Sequence, residues 1–231
     1  MKLLALDTST EACSVAVYSD GVTFSAFELT PREHTHKILP MIEQVLAQAA
    51  LRLSEVDALV VGRGPGAFTG IRIGIGVAQG LALAADKPVI PVSTLAALAQ
   101  QAYQQYGATQ VLAALDARMN EVYWGQYTVQ NGLVQLQGEE QVCAAEHTPL
   151  PETAGWFAVG HGWSAYAETL QARFSGKLGG ENTELLPAAE FMLPLAVAAW
   201  QRGEAVAPEL AQPVYLRNKI ALTTQERLAR Q

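Results

Sequence analysis

The sequence predicts an α/β protein built from two related domains, and three observations lead to this fold class. First, 50% of its 231 residues are hydrophobic and 16% are charged, which allows a sizeable buried core. Second, predicted strands alternate with predicted helices after an initial meander, as in a largely parallel sheet covered by helices. Third, a pattern of strand, aspartate and hairpin near the amino terminus occurs again in the second half of the chain.

The amino-terminal region is typical of an antiparallel meander followed by a helix. Short apolar or alternating segments predict three strands, at 2–6, 13–18 and 22–27. The dipeptide Asp20-Gly21 lies between the last two and favours a two-residue hairpin turn. Apolar residues spaced three or four apart then predict an amphipathic helix over 34–50.

A second predicted helix, over 70–85, is apolar on nearly every side and lies between predicted strands at 57–62 and 88–92. Its own sheet can cover one side of it, and an apolar side that stays uncovered marks a partner site. Burial of that side by the second domain is the alternative. We predict a partner surface formed with the helix 34–50 and containing Leu39, Met41, Ile42, Leu46, Phe68, Gly70, Ile73, Gly74, Val77 and Leu81.

The segment between the strand 57–62 and this helix is rich in glycine, from Gly62 to Arg72. It is not a P-loop, because no lysine precedes a serine or threonine at the required spacing. Two interpretations remain open. The glycines form either a tight strand-to-helix turn or a loop whose N–H groups bind an anion at the start of the helix.

The internal repeat supports a division into domains 1–106 and 107–231. The segment 3–7, which ends in Asp7, resembles the segment 112–116, which ends in Asp116. An alternating strand and a hairpin follow each aspartate, with Asn131-Gly132 as the second turn.

Duplicated domains that each open with a strand ending in aspartate resemble the actin-like architecture of actin, sugar kinases and heat-shock proteins, with the second domain reduced here. The resemblance implies ribonuclease H-like domains and a nucleotide in the cleft between the two turns. Neither turn contains glycine or lysine, so we expect no tightly bound cofactor. Asp7, Asp116 and Arg118 are the residues we expect near a weakly held or interfacial ATP or ADP. The alternative is that each aspartate only caps its own turn.

Composition restricts the setting of the protein. The net charge of −7 argues against a broad basic surface that binds nucleic acid by itself. The two cysteines are too few for a disulfide scaffold. No apolar run has the length of a membrane span, and an acidic residue interrupts the amino terminus at Asp7. We therefore expect a cytoplasmic protein without a membrane anchor.

Four segments together are similar to the signature of the TsaB/YeaZ family: 64–74, 6–10, 115–118 with 121–123, and 213–217. The resemblance implies a non-catalytic subunit needed for threonylcarbamoylation of adenosine 37 in tRNAs that read ANN codons. It implies pairing with the catalytic paralogue TsaD, participation of the ATPase TsaE, a homodimer of the isolated chain, and contact with tRNA only through the complex. A free-standing actin-like ATP-dependent kinase or hydrolase is the alternative.

The same resemblance predicts that the chain has no catalytic residues and no metal. TsaD-like enzymes carry a His-x-x-x-His pair just after a strand that ends in Pro-Val. Thr94 and Leu98 occupy the matching positions here, and leucine cannot bind a metal. Two other histidines, His34 and His36, are two residues apart, and we interpret them as part of a solvated helix start.

Overall fold

The computed structural model describes residues 1–217 and contains two five-stranded sheets that share one strand order. The strands of the first sheet are β1 (Lys2–Asp7), β2 (Ala12–Ser19), β3 (Val22–Leu29), β4 (Ala58–Gly62) and β5 (Val89–Val92). Those of the second are β6 (Gln110–Arg118), β7 (Glu121–Gln130), β8 (Leu133–Ala144), β9 (Trp156–Val159) and β10 (Leu178–Asn182). The orders are β3-β2-β1-β4-β5 and β8-β7-β6-β9-β10, so the predicted duplication is confirmed.

Within each sheet the first three strands form an antiparallel meander and the last two run parallel to its first strand. The two predicted hairpin turns are present. Asp20 and Gly21 have φ of 47° and 97°, and Asn131 and Gly132 have φ of 52° and 80°. Positive φ at both central positions is the type I′ geometry, whose twist matches that of the flanking strands.

The described residues contain six α-helices, of which five lie between these strands and the sixth follows β10: α1 (His34–Gln48), α2 (Phe68–Ala85), α3 (Thr94–Tyr106), α4 (Gly162–Ala165), α5 (Ala167–Arg173) and α6 (Leu193–Gln201). Two of them, α4 and α5, are short and follow each other directly after β9. With four and seven residues, α4 and α5 are shorter than α1 and α2, which have 15 and 18. The second domain is therefore reduced, as predicted.

The helices cover both faces of the first sheet. On one face, α1 and α2 enclose the largest apolar cluster, which includes Leu6, Val61 and Ile75. On the other face α6 packs against Leu3 and its neighbours. By contrast, α3 packs in the core of the second sheet. A helix from each predicted domain therefore packs on the sheet of the other, α6 on the first sheet and α3 on the second. The domain boundary at residue 106 stays a prediction.

Three members of the predicted partner surface lie in this core instead. Met41, Ile42 and Leu46 expose only 2%, 3% and 9% of their surface. Met41 is three residues after Ile38, so it continues the buried stripe of α1 and does not lie beside it. On α1 only Leu39 of the predicted set is exposed, at 47%.

Among residues 1–217, α2 is the one helix long and apolar enough to cross a membrane by length and composition alone. Ile71, Ile75 and Ala78 are buried in the apolar cluster on the first sheet, so α2 is packed as a core helix of the domain.

Candidate functional site

A cleft of about 1340 Å³ is lined by residues from both halves of the chain. On one wall lie residues 9–11 of the first turn, the start of α1 and the start of α2. On the other wall lie the end of β6, the start of the β6–β7 turn and His161. The two turns that follow the repeated aspartates therefore share one cleft, as predicted.

In the first turn, the carboxyl group of Asp7 is sealed from solvent, with 1% of the residue exposed. Its Oδ1 accepts hydrogen bonds from the backbone N and the Oγ of Ser9, at 2.9 and 2.7 Å. Its Oδ2 is buried without a hydrogen-bond partner among residues 1–217. Burial raises the pKa of Asp7 to about 6, and the two Ser9 hydrogen bonds limit this rise.

The glycine-rich loop is what seals this turn. A Cβ placed on Gly66 would lie 2.3 Å from the Ser9 carbonyl oxygen, and one on Gly70 would lie 2.0 Å from that of Thr8. Thr8 Oγ1 also donates a hydrogen bond to Gly70 O at 2.7 Å. The loop is therefore a strand-to-helix turn whose glycines allow two backbones to touch, which favours the first of our two interpretations.

The same contacts correct the predicted roles of Gly70 and Gly74. Both residues are buried, and a Cβ on Gly74 would lie 2.7 Å from Thr8 Oγ1. Their small size serves contact within the chain, not contact with a partner. The open glycines of α2 are Gly76 and Gly80, where an added Cβ would meet no atom within 4 Å.

In the second turn, the carboxylate of Asp116 is fully paired. Its Oδ1 accepts hydrogen bonds from Arg118 N at 2.7 Å and from Tyr166 OH at 3.0 Å. Its Oδ2 lies 2.8 Å from Arg118 Nη1. Each repeated aspartate thus caps its own turn through the N–H two residues later, which was the alternative to nucleotide contact.

His161 supports the second turn from the opposite side of Asp116. Its Nδ1 accepts the backbone N–H of Asp116 at 3.0 Å, so the proton of the neutral ring is on Nε2. That nitrogen faces Glu11 of the first turn at 3.8 Å. Burial lowers the pKa of His161, and the charges of Glu11 and Asp116 oppose this effect.

The interpretation of His34 as solvated was wrong. His34 is 8% exposed and its Nε2 donates a hydrogen bond to the Thr10 carbonyl at 2.9 Å. It ties the start of α1 to the first turn. His36 is exposed, as predicted.

The positions that match the metal-binding pair of TsaD-like enzymes lie on α3 and are buried. Leu98 belongs to the core of the second sheet and Thr94 is fully covered. Within residues 1–217 no group of three or more histidine, cysteine or acidic side chains is arranged to hold a metal ion. The described side chains offer neither that metal pair nor a substitute for it.

Sequence reasoning missed a polar cluster that joins the glycine-rich loop to the second sheet. Glu140 on β8 accepts hydrogen bonds from Ser93 and from Tyr127 OH, the latter at 2.6 Å, and lies 3.6 Å from Arg63. Burial raises the pKa of Tyr127 well above its usual value. No local pattern indicated this cluster, because its members come from four separate segments.

Sequence reasoning also gave no role to Tyr215, although it lies in one of the family-like segments. Arg72 Nε donates a hydrogen bond to Tyr215 OH at 2.8 Å, and the Arg72 guanidinium carbon lies 3.6 Å from the centre of the Phe68 ring. Arg217 follows and pairs with Glu121. The basic residues Lys219, Arg227 and Arg230 lie outside the described residues.

Comparison with known proteins agrees with this geometry. Residues 26–223 match the family described as TsaD: tRNA N6-adenosine threonylcarbamoyltransferase. The tRNA threonylcarbamoyladenosine biosynthesis protein TsaB of Escherichia coli (strain K12) is 50% identical over 225 residues, covering 96% of both chains. Its namesake in Haemophilus influenzae is 44% identical, covering 95% of both. The structure of YeaZ from Pseudomonas aeruginosa matches with a TM-score of 0.88 and 51% identity, covering 93% of this chain and 99% of that one.

The duplicated strand order and the shared cleft define an actin-like protein made of two ribonuclease H-like domains. Since the similarity to these relatives extends over nearly the whole chain, the chain belongs to the TsaB (YeaZ) family.

Proposed function

We propose that this chain is a non-catalytic subunit that supports threonylcarbamoylation of adenosine 37 in tRNAs reading ANN codons. The names of its relatives support a part in tRNA threonylcarbamoyladenosine biosynthesis. The subunit acts by pairing with a TsaD transferase, with TsaE as a further partner, and touches tRNA only through the complex. Its setting is the cytoplasm.

The observation that carries the pairing is the free face of α2, which we define as Gly76, Gly80 and Leu83 with the half-buried Ile73 and Val77. Leu83 is 75% exposed, and both glycines are open. Residues four apart lie on one side of a helix, so the glycines let a second helix approach closely. Burial of the apolar residues drives association at about 25 cal/mol per Å² before association costs.

In this proposal the isolated chain uses the same face to form a homodimer. Binding of TsaD then competes with self-association. Leu39 and Phe68, at 47% and 44% exposure, extend the apolar area beyond α2's free face. Val77 and Leu81 are partly buried against the core and contribute only their outer edges.

The test is a modification reaction reconstituted with TsaD, TsaE and tRNA, with and without this chain. Leu83→Asp and Gly80→Asp place a charge on the free face and should abolish both co-elution with TsaD and stimulation of the reaction. Leu150→Asp is the matched control, because Leu150 is 47% exposed in a loop of the other half. Co-elution of the Leu83 and Gly80 variants with TsaD would contradict the proposed face.

Calorimetry with ATP and magnesium on the isolated chain separates this proposal from a free-standing kinase or hydrolase. The scaffold predicts weak binding without turnover, with any ATP or ADP held at the subunit interface. Tight binding with hydrolysis would favour the enzyme.

A further inference from the structure

The segment 206–217, here called the strap, runs from the first sheet along α2 to the second turn. Val206 exchanges two backbone hydrogen bonds with Val89, both at 2.8 Å. Gln79 Nε2 then donates to the carbonyls of Pro208 and Ala211, at 3.0 and 3.1 Å. Val214 N donates to Arg63 O at 2.9 Å, so the strap also crosses the glycine-rich loop.

The strap ends at the second turn. Arg217 pairs with Glu121 and donates to the Arg118 carbonyl at 3.3 Å. Between these anchors Tyr215 stands over the start of α2, where its ring lies 5.6 Å from that of Phe68 and its hydroxyl accepts from Arg72.

Helical periodicity places the strap contacts beside the free face of α2. Phe68, Arg72 and Gln79 are spaced four and seven apart and form one edge of the helix, and the stripe of Gly76, Gly80 and Leu83 lies next to it. Phe68 is at the amino-terminal end of this edge, where it contacts Tyr215 and keeps 44% of its surface exposed.

The start of α2 has little support of its own. The N-cap residue, Ala67, makes no side-chain capping bond, and the first turn has no acidic residue. Glycines at 70, 74, 76 and 80 each weaken the helix by about 1 kcal/mol relative to alanine. On the side away from the sheet, Tyr215 packs on the Phe68 ring and accepts a hydrogen bond from Arg72, so it restrains both of these side chains.

We propose that Tyr215 is a positioning residue for partner binding: the strap holds Phe68 and Arg72 in the orientation that the TsaD subunit recognises. This inference rests on the proposed function. Restraining side chains before association removes an entropic cost that binding would otherwise include.

The test measures the dissociation constant for the TsaD partner, with the melting temperature of each variant as a check on folding. Tyr215→Ala should weaken binding about tenfold, because two side chains lose their restraint. Tyr215→Phe keeps the ring and should weaken it only about threefold, and Arg217→Ala, which frees the end of the strap, should weaken it about as much.

Tyr106→Ala is the matched control. Tyr106 also stacks on a phenylalanine, Phe157 at 5.1 Å, and its hydroxyl also accepts a hydrogen bond, from Asn182 at 2.7 Å. It lies on α3, away from α2, and its loss should change the dissociation constant less than about twofold.

Two outcomes would overturn the inference alone: a folded Tyr215→Ala variant that binds TsaD like the unaltered chain, or an equal loss in the Tyr106 control. If Tyr215→Ala does not fold, the Phe and Arg217 variants decide, and unchanged binding by both overturns it. Failure of the unaltered chain to bind TsaD would overturn the proposed function and this inference together.

Discussion

The two aspartate turns follow the same sequence pattern and end in opposite environments. Asp7 is 1% exposed and has an unpartnered oxygen among the described residues, whereas Asp116 lies at the cleft with both oxygens paired. Both cap a turn through the N–H two residues later. The aspartate and the N–H two residues later therefore determine the backbone conformation of each turn. The burial of the carboxyl group and its hydrogen-bond partners determine its pKa.

The difference arises from what covers each turn. The glycine-rich loop lies directly on Thr8 and Ser9, because Gly66 and Gly70 have no side chain to keep it away. In the described residues no glycine-rich loop lies on the second turn: Arg217 contacts the Arg118 carbonyl there, while Met119 stays 60% exposed. Arg118, Met119 and Asn120 all have positive φ, at 62°, 58° and 62°.

The largest expected effect comes from separating the loop from the first turn. Gly70→Ala should lower the free energy of unfolding by about 3 kcal/mol or more, because its Cβ would lie 2.0 Å from the Thr8 carbonyl oxygen. Gly76→Ala is the control on the same helix; its Cβ meets nothing within 4 Å, and it should stabilise the protein by up to about 1 kcal/mol. Urea unfolding measures both. Equal effects of the two substitutions would contradict the close contact between Gly70 and the first turn.

The next prediction concerns the buried carboxyl group itself. Since the pKa of Asp7 is raised to about 6, the folded state binds this proton more tightly than the unfolded state, whose value is 3.8. The contribution of Asp7 to the free energy of unfolding should therefore fall as pH rises from about 4 to about 6, by roughly 3 kcal/mol. Asp7→Asn should remove this dependence.

Ser9→Ala sharpens this test. It deletes the hydroxyl hydrogen bond that lowers the pKa of Asp7, so the fall in stability should extend to higher pH. Parallel stability curves for the unaltered chain and Asp7→Asn between pH 4 and 7 would show that Asp7 is not buried as described.

Much of the fold could be predicted because its signals are local. Apolar segments, the two hairpin dipeptides and the repeated aspartates each lie within a few residues, and together they indicate the duplicated strand order. The mistakes were made where distant segments meet. Gly70 and Gly74 pack on Thr8, and His34 binds Thr10, through contacts that no spacing on α1 or α2 reveals.

The predicted partner surface contains errors of the same kind on α1 and on α2. Periodicity correctly placed apolar residues on α1, but it did not show that the buried stripe extends to Met41. On α2 it could not separate glycines that touch the first turn from Gly76 and Gly80, which are open. That distinction needs the position of the first turn, so residue type alone selected two glycines that are buried.

A smaller effect is expected at the second turn. Tyr166→Phe removes the hydroxyl that donates to Asp116 Oδ1 at 3.0 Å and should cost about 1 kcal/mol of stability, since this site is partly exposed. A double-mutant cycle with Asp116→Ala measures the coupling of the two side chains. A coupling energy near zero would mean that Tyr166 does not hold the carboxylate.

The smallest expected effect is a shift in the pKa of His161, without a large change in the free energy of unfolding. Because His161 Nδ1 accepts the Asp116 N–H and burial opposes its charge, NMR should show the Nε2–H tautomer and a pKa below the usual 6.5. Glu11→Gln removes the carboxylate that faces Nε2 across the cleft and should lower the pKa of His161 further. Protonation as pH falls breaks the Asp116 hydrogen bond, so the second turn loosens in acid, whereas protonation of Asp7 stabilises the first. The two turns respond in opposite ways to the same change in pH because the Asp7 carboxyl group is sealed from solvent, whereas the backbone of the second turn is hydrogen-bonded to a neutral histidine.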